Sequence, residues 1–227
     1  MVLKKIAQAV LGLLLLLVTL LLVSRWWPAS AAQQQARAAL ESPQQWSGRN
    51  AWPLLATLDH PGLDAAQRDA LVGQHAGAFA QWADASAAQR YADQDAAAPQ
   101  SDAPELPAPA AAPLPALAYC RPTTLEGCLA HVRGDTTAVV ADLAARSGLI
   151  ERIAGLAAYQ HARSPYQPDV AAPLPAGLAR LFTALPAHAL AHVQGNSDAA
   201  LAGLCRDMGS ARMLASRSDS LVVTMLG

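Results

Sequence analysis

WSGRNAWPLLATLDHPGLD, residues 46–64, is the stretch on which the fold turns. Trp46, Trp52, Leu54, Leu55 and Leu58 crowd large apolar side chains into a few turns of chain. Pro53 suits a first helical turn, where its missing N–H costs nothing. Asn50 is placed to cap that turn, and His60-Pro61-Gly62 is a stop signal. The segment therefore reads as a short apolar helix closed at both ends. Trp46, Trp52 and Trp82 supply either the core of an aromatic-poor helical domain or a binding surface. Core is the commoner use.

Outward from this stretch the pattern stays helical. Asp64 and Gln67 form a loose capping box. Residues 65–94 follow as one helix with Leu71, Val72, Phe79 and Trp82 at apolar positions, and Gly73 and Gly77 are its candidate breaks. Alanine and leucine dominate the 227 residues, and aromatics are only 5%. Both facts favour helix over strand. The expected class is all-α: an N-terminal transmembrane helix, then a helical bundle or stacked αα-hairpins with a Pro/Ala-rich linker. The formal net charge of -1 provides no basic field to hold nucleic acid.

The N-terminus decides the compartment. Residues 6–23, IAQAVLGLLLLLVTLLLV, carry no charge and extend roughly 27 Å as a helix, against a bilayer core of about 30 Å. Lys4 and Lys5, the only lysines in the chain, lie in the segment 1–5 and place it in the cytoplasm. Arg25, Trp26 and Trp27 follow the span and suit the membrane interface. A cleaved signal peptide is the competing reading, because Ala29-Ser30-Ala31 fits a cleavage site. The length of the apolar run and the bulk of Trp26-Trp27-Pro28 favour an uncleaved anchor. Either way the body is exported, and the expected location is a bacterial inner membrane, single-pass, with the body periplasmic.

Further boundaries follow from composition: a stalk over 24–45, an N-terminal helical segment over 46–92, a linker over 93–117 and a C-terminal helical segment over 118–227. The linker holds six prolines and almost no bulky apolar residue, so it reads as polyproline-like or disordered. It lacks the basic-flanked PxxP pattern of a docking motif. The helical pieces on its two sides can still pack together, since loop length costs little entropy.

In the C-terminal segment, Thr123 or Thr124 with Glu126 can open a short helix. Residues 129–134, LAHVRG, return at 190–195 as LAHVQG. In both copies a glycine is followed by a capping residue, Asp135 or Asn196. The unit is helix, glycine turn, capped helix. It is either a structural repeat or hairpin chemistry arrived at twice. Pro186 kinks or restarts the helix over 177–194. The closing SLVVTMLG (220–227) either packs into the bundle or continues in a longer chain.

Chemistry is sparse. His188 and His192 share one helix face at i,i+4 and could hold a metal, with His131 as the third ligand the repeat suggests. Histidines easing a helix C-terminus are the simpler reading, and no metal or other cofactor is expected. No G-x-S-x-G, S-x-x-K or HExxH occurs, and no catalytic residue or enzyme activity is expected. Cys120 and Cys128 flank a turn and should pair in an oxidising compartment. Cys205, among Leu201, Leu204 and Met208, reads as a buried free thiol or an intermolecular partner. Arg146, Glu151 and Arg152 read as a solvated helix face.

At RNAWPLLATLDHP (49–61), GCLAHVR (127–133) and LIERIAGLAAYQHARSP (149–165) the chain resembles a group of uncharacterised proteobacterial single-pass inner-membrane proteins with an exported helical domain. The resemblance implies the same topology and the Cys120–Cys128 pairing, and a chain that runs on past residue 227. It transfers no catalytic residue. The expected role is non-enzymatic binding of a protein partner in the envelope. The alternatives are an immunity-type protein that neutralises an exported toxin and an envelope hydrolase or metal-dependent enzyme using His188 and His192.

Overall fold

A computed structural model describes residues 12–19, 21–22, 30–41, 46–92, 103–110, 114–115, 117–120, 127–169 and 171–226. The chain divides into two compact units, residues 1–46 and 47–227. All regular structure among the described residues is helical. Two isolated bridges, Asn50–His161 and Ala162–Ser218, are the β-type pairings they contain.

In the first unit, residues 12–19 and 21–22 are helical, and Leu13–Leu17, Val18, Leu21 and Leu22 are at least half exposed. Helix α1 (Ala31–Glu41) opens on a reciprocal cap: the Ser30 amide donates to Gln33 Oε1 at 2.9 Å and the Gln33 amide to Ser30 Oγ at 3.2 Å. Among the described residues no helix is long and apolar enough to cross a membrane. The expected span over 6–23 is described only at 12–19 and 21–22. Arg25, Trp26, Trp27 and the segment 1–5 lie outside the described residues.

The second unit is organised around α2 (Trp52–Ala56). Trp52, Leu54, Leu55 and Leu58 all fall in the main core cluster, Trp52 at 2% exposure. Pro53 sits in the first turn. Asn50 does more than cap: its Oδ1 accepts from the amides of Trp52 (3.1 Å) and Arg163 (2.9 Å), and its Nδ2 donates to the Arg163 carbonyl (2.8 Å). The Ala51 amide adds a bond to the His161 carbonyl (2.7 Å), and the Ala162 amide donates to the Arg217 carbonyl (2.9 Å). Segment 160–163 is thereby clasped between the start of α2 and the chain after residue 216. These long-range bonds bring two of the three sequence motifs, 49–61 and 149–165, side by side.

Helix α3 (Ala65–Ala92) runs unbroken through Gly73 and Gly77. Its capping box is complete, Asp64 and Gln67 exchanging amide bonds of 2.9 and 2.8 Å. Val72, Phe79 and Ala83 recur at near-turn spacing and enter the main core, with Trp82 partly buried beside them. Beyond lie α4 (Cys128–Gly134), α5 (Thr136–Ala145) and α6 (Ser147–Ala154), then a 3₁₀ turn over Gly155–Ala158. A 3₁₀ helix, Ala176–Ala184, leads into α7 (Leu185–Val193), which has Pro186 in its first turn, so proline restarts the helix as expected. Gly177 lets this 3₁₀ helix lie directly on α2: a Cβ there would strike the Leu55 carbonyl and the Leu58 side chain. Helices α8 (Ser197–Ser216) and α9 (Leu221–Leu226) close the chain. In α9 Val223 is fully buried, while Leu221 and Met225 are exposed.

The described part of the proline-rich segment is docked against this unit. His75 Nε2 donates to the Pro104 carbonyl (3.0 Å) and His60 Nε2 to the Pro107 carbonyl (2.8 Å). Arg180 Nη1 reaches the Leu114 carbonyl (2.9 Å) and Arg146 Nη2 the Pro115 carbonyl (2.8 Å). Leu106 packs on the main core. The reading as a loose linker is therefore corrected at residues 103–110 and 114–115, because side-chain donors supply what a proline-rich backbone cannot arrange for itself. The solvated-face reading of Arg146 and Arg152 is corrected too. Arg146 is buried, and Arg152 Nε caps the Leu58 carbonyl at 2.8 Å.

Candidate functional site

Helices α7 and α8 form a close antiparallel pair, joined at Gly195 with φ +86°. Asn196 caps α8 through the Ala199 amide (3.3 Å), and Asp135 caps α5 through the Ala138 amide (3.1 Å). The caps of the two LAHV copies thus match. The glycines do not: Gly195 is left-handed, whereas Gly134 ends α4 without a positive φ.

The i,i+4 histidines take separate partners. His188 is buried and donates from Nε2 to Asp207 Oδ2 at 2.7 Å. Its Nδ1–Cε1 edge lies on Gly203, where any Cβ would displace the ring. His192 is exposed, with Nδ1 3.0 Å from Ser197 Oγ. His131 stacks on Tyr119 at 4.1 Å between ring centroids. Among the described residues no three His, Cys, Asp or Glu side chains group to hold a metal. The HALAH spacing serves helix packing here: His188 is engaged on both edges, and its role follows from Gly203 and Asp207, neither of which is local to it.

Asp207 also accepts from Arg206 Nε at 2.8 Å. Burial by itself would raise its pKa, but the hydrogen bonds from His188 and Arg206 and the Arg206 charge outweigh burial and hold the carboxyl below its ordinary range. A lowered folded-state pKa stabilises the fold above the unfolded value, and that contribution is lost as pH falls through the folded one. Asp207→Asn is therefore expected to be less stable than wild type at neutral pH. The gap narrows below about pH 4, as read by denaturant titrations across pH.

His188 lines one of two neighbouring apolar hollows and Asp207 lines the other. One, of about 360 Å³, is lined by Leu129, Leu185, His188, His192, Leu201 and Leu204 among others. The other, of about 220 Å³, includes Phe182, Leu185, Leu204, Asp207 and Met208. Leu185 and Leu204 belong to both, so the two make one continuous apolar surface along α8. Leu201 is 60% and Met208 62% exposed. The sequence reading places these residues around a buried Cys205, whereas they lie on an outward face of α8.

Cys120 and Cys128 are joined by a disulfide, as expected. It ties the chain after the proline-rich strap to α4, and Tyr119 beside it donates to Asp142 Oδ2 of α5 at 3.1 Å. Burial and that hydrogen bond push the Tyr119 hydroxyl up to about 12. The caps expected at Thr123, Thr124 and Glu126 lie outside the described residues. Cys205 is a free thiol and is exposed, not buried, because its face of α8 looks away from the core. Under native conditions a maleimide should label Cys205 at the rate of an open thiol, whereas a buried one would react only after unfolding.

No family model, no curated protein and no solved structure matches this chain.

Proposed function

We propose that the protein is a single-pass envelope protein whose periplasmic body binds a protein partner through the apolar surface of α8. The observation that carries the binding role is the set of exposed apolar side chains Leu201, Met208, Leu129 and Phe182 beside two hollows that share the half-buried Leu204. Exposed apolar patches of this kind, edged by polar groups, mark interaction sites. The anchor is supported by the uncharged run 6–23 between Lys4-Lys5 and Arg25-Trp26-Trp27. It is also supported by the exposed leucines of 12–19 and 21–22, whose apolar faces suit lipid. The His188/His192 enzyme reading gains nothing from the geometry, since His188 is committed to Asp207 and Gly203.

Photo-crosslinking tests the reading. A crosslinker at Met208 in intact envelopes should give one dominant protein adduct, and one at the exposed Arg133 should not. Equal, diffuse adducts from both positions would argue against a specific surface. Protease added to spheroplasts should digest the body and spare a membrane-embedded N-terminal fragment.

A further inference from the structure

The proline-rich strap is held in an unusual way. Among the described residues, four contacts run from side-chain donors of the body to main-chain carbonyls of the strap: His75 to Pro104, His60 to Pro107, Arg180 to Leu114 and Arg146 to Pro115. Such donors recognise backbone rather than side chains, so any extended chain whose carbonyls are not already consumed satisfies them. A proline-rich chain fits best, because proline has no N–H to leave unpaired against the body. Pro104 and Pro107 are one polyproline II turn apart, which sets their carbonyls on one face.

Between those two carbonyls the body takes one apolar side chain, Leu106, onto its main core. His75 belongs to an aromatic cluster of that core. His75 Nδ1 accepts from the Tyr166 hydroxyl at 2.7 Å once Nε2–H is given to Pro104, and the Tyr166 ring meets His75 and Phe79 edge-on, each at 5.5 Å. Aromatic surface with donors aimed at carbonyls is how grooves recognise proline-rich chains. Within 103–110 only Leu106 joins the core, and Glu105, Pro107, Ala108 and Ala110 face solvent. Over 103–110 the occupant is held by one half-buried apolar side chain, Leu106, and such a segment is exchangeable.

We propose that the surface bearing His60, His75, Arg146 and Arg180 is a binding site for an extended proline-rich segment of a partner protein, of the form Pro-x-Leu-Pro, with residues 103–110 and 114–115 as its resident occupant in cis. The site is separate from the α8 surface and does not depend on it. Tethering gives the cis strap a high effective concentration, so the partner segment binds when the strap is weakened or the partner is itself concentrated at the membrane.

The test uses the full chain carrying Leu106→Asp and a fluorescent peptide of residues 103–117, APELPAPAAAPLPAL. Saturable binding to the variant, at least ten-fold tighter than to wild type, is expected. Adding His60→Ala should weaken it about five-fold, the worth of one hydrogen bond. A Leu106→Asp chain that melts like wild type yet binds no peptide would overturn the proposal. If Leu106→Asp does not fold, an Ala108→Cys chain labelled on the strap replaces it: strap release by excess peptide supports the site, and an unchanged signal overturns it. A wild-type dimer that the peptide dissociates would give the site to the strap of a second copy and overturn a separate partner.

Discussion

Trp52→Ala is expected to destabilise the second unit by about 3–5 kcal/mol, the range for deleting a large buried aromatic side chain. Trp52 is 2% exposed and meets Tyr166 at 6.4 Å between ring centroids. The helix that carries it is almost wholly core. The cavity would open between α2 and Tyr166, just beyond the point where Asn50 clasps the chain at Arg163, so relaxation to fill it is limited. The indole N–H has no partner, and Trp52→Phe therefore loses volume without breaking a hydrogen bond and should cost far less. Denaturant titration checks both: a shift in midpoint for Trp52→Ala with unchanged slope, several times that of Trp52→Phe. Equal effects would contradict the placement of Trp52.

Loss of the Cys120–Cys128 disulfide is the second large effect. Closing so short a loop is worth about 2–3 kcal/mol in the chain-entropy account. Here the bond also fixes Tyr119, which stacks on His131 and reaches Asp142, and it supports the small second core of Val132, Val139 and Leu143. Cys128→Ser should lower the unfolding free energy read from denaturant titration by that amount and loosen α4 first, seen as earlier exchange of the amides over 128–134. Reductant should move wild type toward the variant and leave the variant unchanged. A variant as stable as wild type would mean that the second core holds without the crosslink.

Local chemistry was legible in the sequence. Asp64 with Gln67, Asp135 and Asn196 all cap the helices they precede, and Pro186 restarts α7, because caps and proline act within one turn of chain. The unbroken run of α3 through two glycines shows packing of Val72 and Phe79 prevailing over propensity. What stayed hidden depends on partners far along the chain. Arg146 and Arg152 lie on a helix like solvated arginines, but their guanidinium groups end on carbonyls of Pro115 and Leu58. The strap has the composition of a linker, and only the positions of His60, His75 and Arg180 turn it into a docked segment. His188 and His192 share a spacing that suits a metal, yet Gly203 and Asp207 on α8 decide what His188 does. Cys205, set among Leu201, Leu204 and Met208, reads from the sequence as buried. Whether such a face meets core or solvent depends on the neighbouring helices, and Cys205 was misplaced for that reason.

The measurement that bears most directly on the α8 surface pairs stability with capture. Leu201→Asp and Met208→Asp are each made in the full chain, melted, and photo-crosslinked from a fixed position on Leu129 in intact envelopes. Both side chains are more than half exposed, so each variant should melt within about 0.5 kcal/mol of wild type while losing the dominant adduct. An adduct that survives both substitutions, or a variant that unfolds, would contradict the assignment of this face as the partner-binding surface.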